Sequence, residues 1–405
     1  MMNEFSLIIK ALLRNKTGAM LIALQIALTL TIMVNAVFMM QVRSEQMARP
    51  SGLDEDNIFH LSNTIFADDY NQQVNLQRDL DIIRNIDGVI DATQINAIPI
   101  SGGGWSMSLQ TKPGEEQDDT GVAVYMVDDH GINSLGLELI MGENFAPTDI
   151  EWRSSSMTSW PAKIIMSQAM AQTLFADDWQ NAVGKTVYIG RDEPMQIIGL
   201  VKTLQAPWNG WNGVERSILV PYQMETSGGR FIIRSEPGRR DELMPIIEKT
   251  LSDADKGRII RRVTTMAETR ERSYRNHNAV NNILTIVIIL LTVITGFGIV
   301  GLAMFSINRR TKQIGTRRAL GASRQQIMSY FMLENLIISS FGIALGLMGA
   351  VGLNMWLVNT FAMQPLHSEL LILGAIALYI VGQLAVLYPA TKAARISPAI
   401  ATRTA

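Results

Sequence analysis

Few residues in this sequence stand in patterns that could do chemistry. Gly184-Lys185-Thr186 has the ending of a phosphate-cradling loop, in which the lysine and hydroxyl would hold phosphate and magnesium. The glycine that such a loop requires five residues upstream is Trp179, and the triad opens an extended run rather than a helix, so nucleotide binding is not expected there. Asp128-Asp129-His130 offers metal-ligand types, but His60, His130, His277 and His367 are scattered, and the trio reads as a solvated turn. Ser101-Gly102-Gly103-Gly104-Trp105 reads as a flexible turn rather than a ligand loop. The lack of cysteine excludes disulfides, iron–sulfur clusters and thiol catalysis. No catalytic, cofactor-binding or metal residue is assigned, and the chain is read as noncatalytic.

The elements that would position any site are apolar. Of the 405 residues, 47% are hydrophobic and 18% charged, against about 25% charged in an average soluble protein. A net charge of −2 gives no footprint for nucleic acid. Residues 17–42 carry no charge over 26 positions, more than the roughly 20 needed to cross a bilayer. Similar stretches cover 276–308, 335–366 and 370–391. The expectation is a membrane protein with four transmembrane helices, cores at 18–41, 279–307, 329–359 and 370–391. The first is an uncleaved anchor, too long for a signal peptide and without a small-residue cleavage site.

Basic residues set the orientation, because cytoplasmic loops retain them. Lys10, Arg14 and Lys16 precede the first span; Arg309, Arg310, Lys312, Arg317, Arg318 and Arg324 separate the second and third; Lys392, Arg395 and Arg403 follow the fourth. The amphipathic N-terminal segment 1–17, the loop 308–328 and the tail 392–405 are therefore expected in the cytoplasm. Segment 43–275 holds 34 of the 37 acids and 23 of the 35 basic residues, a net charge of about −11, and is expected outside.

That outer segment has the pattern of a large α+β domain. Residues 57–62, 75–84 and 89–100 read as strand, helix, strand, and 229–234, 240–251 and 258–263 repeat the order. Two such units flanking an insert suggest one α/β lobe built from both ends, with a β-rich second lobe at about 105–225. No glycine or proline lies between Gly18 and Pro50, and none between Thr264 and Asn278, so both connections to the membrane can continue as helical stalks. Ordinary linkers are the alternative. The whole extracytoplasmic region, stalks included, is taken as 42–278.

Within the third span, Gly342, Gly346, Gly349 and Gly352 recur at three- and four-residue spacing and are expected to pack against another helix. Glu334 is the one acid in an apolar setting; it either serves function, or snorkels to the nearby interface or pairs with Arg324 or a neighbour. Loop 308–328 carries more than positive charge. Ala319 and Leu320 form an apolar knob, Gly321 a turn, and Ser323 a cap for the next helix, which suits docking in a partner's groove.

Here the chain resembles the FtsX/MacB-type permease family of ABC transporters, as a MacB-like permease without a fused ATPase. The resemblance rests on the span order, the loop Ile314-Gly315-x-x-Arg318-Ala319-x-Gly321-Ala322-Ser323, Glu334, and the tail Tyr388-Pro389-Ala390-x-x-Ala393-Ala394-x-Ile396-x-Pro398. Gln313 departs from the acid often found before Ile-Gly in that family. The resemblance implies a two-lobed periplasmic domain with a porter-like α/β lobe and a β-rich insert. It implies that Ile314, Gly315, Arg317, Arg318, Ala319, Leu320, Gly321, Ala322 and Ser323 contact a cytoplasmic ATPase, which binds the ATP and magnesium. It further implies a dimer in the bacterial inner membrane, relaying ATPase motion to the outer domain. A periplasmic adaptor and outer-membrane channel would serve export of drugs, peptides or toxins. Lipoprotein release, or regulation of an extracytoplasmic hydrolase, are the alternatives.

Overall fold

The structure is a computed structural model that describes residues 16–66, 71–114, 119–154, 156–226, 228–361 and 364–397. The expected N-terminal segment, apart from Lys16 and Thr17, lies outside the described residues, as do Pro398 and Arg403. The chain divides into two compact units, Met1–Met47 with His277–Ala405, and Ala48–Asn276.

The first unit holds four long apolar helices: Lys16–Ala48, Arg275–Arg309, Arg324–Phe361 and Ser368–Ala394, called here the first to fourth spans. Lipid cannot hydrogen bond to backbone, so runs this apolar close every bond internally as helix. Lipid is also as apolar as leucine, so the helices need close approach and polar bonds to hold together. Gly342 supplies the first, since a Cβ there would sit 2.7 Å from the Ala23 carbonyl. At Gly346 it would meet Leu30 at 2.9 Å, and at Gly349 the Thr31 hydroxyl at 2.5 Å. Gly352 does not belong with these three: a Cβ there would meet nothing within 4 Å. At about 100° per residue it lies about 80° round the helix from Gly342, off the contact face. Between spans, Thr31 Oγ1 donates to Gly346 O at 3.1 Å, Asn35 Nδ2 to Ala350 O at 3.1 Å and Asn335 Nδ2 to Gly382 O at 3.0 Å.

The second unit runs β1 (Ile58–Ile65), α1 (Gln72–Arg84) and β2 (Val89–Ile95), then the insert. The insert contains β3 (Trp105–Gln110), β4 (Thr120–Met126), α2 (Gly131–Leu135), β5 (Leu139–Gly142), β6 (Glu151–Arg153), β7 (Lys163–Ser167), α3 (Gln168–Phe175), β8 (Thr186–Ile189), β9 (Glu193–Val201), β10 (Ser217–Val220) and β11 (Tyr222–Met224). The first lobe resumes with β12 (Arg230–Ser235), α4 (Arg240–Ala254) and β13 (Arg258–Thr265), and α5 (Met266–Ser273) closes the unit.

The first lobe is the α/β body read from the two repeated units, an antiparallel sheet in the order β13-β1-β12-β2. Phe59 and Leu61 point to one face, where α1 and α4 cover them with Leu76, Leu80, Ile83, Leu243, Ile247 and Leu251. Each such side chain stabilises the fold by about 1.5–3 kcal/mol when fully buried. Ile58 and Ile232 point to the other face, against Tyr125, Val201 and Leu219 of the insert. The insert is a second, β-rich lobe in which β9-β7-β10-β4-β3-β8 forms a ring, because β8 pairs back with β9. Closure leaves the six strands no free edge.

Two expectations change in this unit. Asp128 is not in a solvated turn but is 2% exposed, accepting from Arg84 Nη2 and Thr93 Oγ1 at 2.7 Å each and from the backbone amide of His130 at 3.1 Å. It lies two residues beyond β4, buried, and ties the two lobes through Arg84 and Thr93. The stalk expected through Thr264–Asn278 is not continuous either: Thr264 and Thr265 belong to β13, and Tyr274 (φ −96°, ψ 8°) interrupts the helix between α5 and the second span. Tyr274 is buried, with the Arg270 guanidinium 5.8 Å over its ring.

His60 on β1 sets a pH limit on this unit. Its Nε2 lies 2.8 Å from the Thr269 hydroxyl, which itself donates to Thr265 O, so the ring is the donor. Burial first, and then Arg272, Arg230 and Arg262, push its pKa down from 6.5 to about 4. The unfolded chain takes the proton below pH 6.5 and the folded chain only near 4, so the stability this site provides is full above 6.5 and falls as pH drops towards 4. The loss amounts to as much as about 3 kcal/mol. Tryptophan fluorescence unfolding, dominated by the tryptophans of the inserted domain, should show this slope in the parent chain and a flatter one in His60→Gln; equal slopes would refute the assignment.

Candidate coupling site

Between the second and third spans the chain turns back through a short helix, Thr311–Ala319. Its inner side carries Ile314 and Gly315, both buried, against Ile307, Ile327 and Phe331 and the fourth-span residues Ala390, Ala393 and Ala394. The loop and tail motifs of the sequence thus form one packed cluster, with Ala322 and Ile396 partly buried at its margin.

Both ends of the turn are closed by hydrogen bonds. At the C-terminus, Ala322 N donates to Arg317 O at 3.0 Å and Gly321 N to Arg318 O at 3.2 Å, with Gly321 at φ 98°. This is a Schellman ending, which requires the left-handed residue that glycine supplies without strain. Two residues later, Gln326 N donates to Ser323 Oγ at 3.2 Å and Ser323 N to Gln326 Oε1 at 2.8 Å, a capping box that starts the third span. Arg318 Nη1 donates to Ala322 O at 3.1 Å, and the Arg317 guanidinium lies 5.0 Å over the Tyr330 ring.

Ala319 and Leu320 are left facing outward. Leu320 is 84% exposed, more than any other large apolar side chain among the described residues. It borders an open groove of about 530 Å³ shared with Arg317, Gly321, Ala322, Gln326, Ile327 and Tyr330. The arrangement offers no nucleophile, base or metal cluster; it can bind a complementary surface. Among the described residues no group of three His, Asp or Glu side chains could hold a metal.

Residues 285–398 match the family model described as FtsX-like permease C-terminal. That match, with the relatives below, makes the chain similar to permeases of the FtsX/MacB type. The chain is 24% identical over 276 residues to the macrolide export ATP-binding/permease protein MacB of Chromobacterium violaceum, covering 65% of this chain and 40% of that protein. It is 26% identical over 320 residues to the uncharacterized ABC transporter permease YknZ of Bacillus subtilis, covering 74% of each. The chain thus spans about two fifths of the length of the MacB relative. Among solved structures, the extracellular domain of YknZ from Gram-positive bacteria aligns at 17% identity and TM-score 0.32, covering 50% of this chain and 100% of that one. The periplasmic region of MacB from Actinobacillus actinomycetemcomitans aligns at 14% identity and TM-score 0.34, covering 56% and 97%. The match to a permease family model and the four long apolar helices together support an inner-membrane protein.

Sequence reasoning missed Arg310. Glu334, which the sequence offered to Arg324 or another neighbour, pairs with Arg310, whose Nη1 lies 2.9 and 3.0 Å from the two carboxylate oxygens. Arg324 begins the third span ten residues before Glu334, about 15 Å away along the helix. Arg310 flanks the N-terminus of the permease's turn helix, and opposite charge in an apolar setting was the only signal for it. Glu334→Ala should leave an uncompensated charge and destabilise the chain by about 3 kcal/mol. Combining it with Arg310→Ala should recover more than about 1 kcal/mol in thermal unfolding, whereas additive losses would mean the pair is idle.

Proposed function

We propose that this chain is the noncatalytic permease subunit of an ABC transporter and couples ATP hydrolysis by a separate cytoplasmic ATPase to movement of the domain at 48–276. The observation that carries the reading is the rigid, solvent-facing Ala319–Leu320 knob: buried Ile314 and Gly315 and the two capped ends fix its shape, and nothing within the described residues covers it. A docking surface needs such a preformed apolar anchor.

In this reading both termini and residues 308–328 are cytoplasmic, the inserted domain is periplasmic, and two permease chains form a dimer, each seating its knob in an ATPase groove. ATP and magnesium belong to that partner. The name of the MacB relatives supports export, and drugs, peptides or toxins passed to a periplasmic adaptor and outer-membrane channel are the proposed cargo and route. Force rather than a polar tunnel is the proposed means, since Thr29, Thr31, Asn35 and Asn335 each make a helix-to-helix bond between the spans.

Replacing Ala319 and Leu320 together by aspartate should abolish stimulation of the ATPase in the reconstituted complex and leave the unfolding temperature of the permease nearly unchanged, because both side chains are exposed. Retained stimulation would remove the docking role. The cysteine-free chain also allows a sidedness test: Leu320→Cys and Val74→Cys, both exposed, should react with an impermeant maleimide from opposite faces of the membrane. Labelling from the same face would overturn the orientation.

A further inference from the structure

At the same end of the bundle as the turn helix, a cavity of about 350 Å³ opens between the first, second and third spans, with Val386 of the fourth also lining it. Its walls are apolar, formed by Ile22, Leu302, Phe331 and Ile338, and Leu21 and Phe305 stand at its mouth, 53% and 55% exposed. In a bilayer that mouth faces acyl chains. The volume falls in the range of small-molecule sites, about 300–1,000 Å³, in which apolar walls are combined with a few placed polar groups.

The charged groups here are Arg309, Arg310 and Glu334, beside the uncharged polar Thr17, Ser306 and Asn335. Arg310 and Glu334 neutralise each other through the pair described above. Arg309 has no carboxylate within ion-pair distance among the described residues; its guanidinium lies 5.0 Å over the Phe305 ring at the mouth. Among the described residues the cavity therefore carries one positive charge without a paired carboxylate, on a planar donor whose geometry matches phosphate, beside largely apolar walls. A free phosphate would not fill the apolar part, and a neutral hydrocarbon would leave the guanidinium unmatched.

We propose that the cavity is a binding site for one anionic phospholipid, with an acyl chain between the spans and the phosphate against Arg309. Basic pockets between transmembrane helices suit such headgroups, and each basic residue near the surface adds about 1 kcal/mol of attraction, roughly fivefold in affinity. A zwitterionic lipid presents the same phosphate but brings its own cation, which cancels that gain. The bound headgroup would lie beside Arg310, which flanks the turn helix, so occupancy would stiffen the base of that helix; the site stands whether or not the helix docks an ATPase.

The test is the full chain in nanodiscs of equal phosphatidylglycerol and phosphatidylcholine, with lipids retained on stepwise delipidation counted by native mass spectrometry. The parent chain should retain phosphatidylglycerol over phosphatidylcholine about fivefold, Arg309→Gln should bring the ratio near one, and Arg309→Lys should keep most of the preference. Ala303→Trp, which fills the cavity, should lose the retained lipid at an unchanged unfolding temperature. Should that variant fail to fold, phosphatidylglycerol with a photoreactive acyl chain, bound to the parent chain, should label the segments around Leu302 and Phe331. Parity in the parent chain, a preference unmoved by Arg309→Gln, retention unmoved in a folded Ala303→Trp, or labelling confined to the outward-facing residues 286–293 would each overturn the proposal.

Discussion

Between the second and third spans the chain has to reverse where the bilayer meets water, and it must do so without leaving polar groups unmet in an apolar setting. Its solution fixes everything exposed on that reversal. Arg310 meets Glu334 at one end, the Gly321 turn satisfies the last carbonyls of the short helix, and Ser323 with Gln326 satisfies the first amides of the third span. Ile314 takes the only inward apolar position, over the small residues Ala390, Ala393 and Ala394. With the inner seat filled and both ends capped, the side chains at Ala319 and Leu320 have nowhere to turn but outward. The exposed knob is thus a consequence of satisfied backbone and a filled core beneath it.

Within the bundle the same demand for satisfied polar groups makes the first span the central helix. Gln25 and Thr29 bond to the second span, at Ile294 O and Thr295 Oγ1, while Thr31 and Asn35 bond to the third, at Gly346 O and Ala350 O. At about 100° per residue, these two pairs point about 120° apart, so the helix is wedged between its neighbours. Its apolar window is 61% buried, against 11% for the second span, although their compositions are similar. Burial here follows from where four uncharged polar residues fall round the helix, and hydropathy alone does not reveal it.

The sequence made the large features legible because each has a local signature. Missing charge marks the spans, and period-two and helical patterns mark the two strand–helix–strand units that form one sheet despite more than a hundred residues between them. The β-rich character of the insert was equally plain, but its closure into a ring depends on β8 returning to β9, a pairing that no local pattern encodes. Within the site, the knob and its cap could be read from Ala319, Leu320, Gly321 and Ser323, because turn chemistry is local. The partner of Glu334 could not, because Arg310 reaches it across 24 residues of chain. Gly352 lies off the contact face because two successive three-residue steps, 346 to 349 to 352, turn back round the helix without a four-residue step to correct them. Asp128 failed because a run of polar residues looks solvated until a second lobe is folded over it.

The two connections between the units differ in a way that bears on force transmission in the proposed mechanism. The first span continues without a break to Ala48, a helix of 33 residues and about 50 Å. Bending it means straining consecutive backbone hydrogen bonds, so it passes on axial displacement and twist. The second connection is interrupted at Tyr274, where φ and ψ can change without breaking a helical ladder. On the domain side of that interruption, Arg270 donates to both oxygens of Glu55 and to Arg49 O, which holds α5 to the chain just beyond the first span. One connection is therefore unbroken helix, and the other is interrupted at Tyr274, with α5 beyond the interruption held to Arg49 and Glu55 of its own unit.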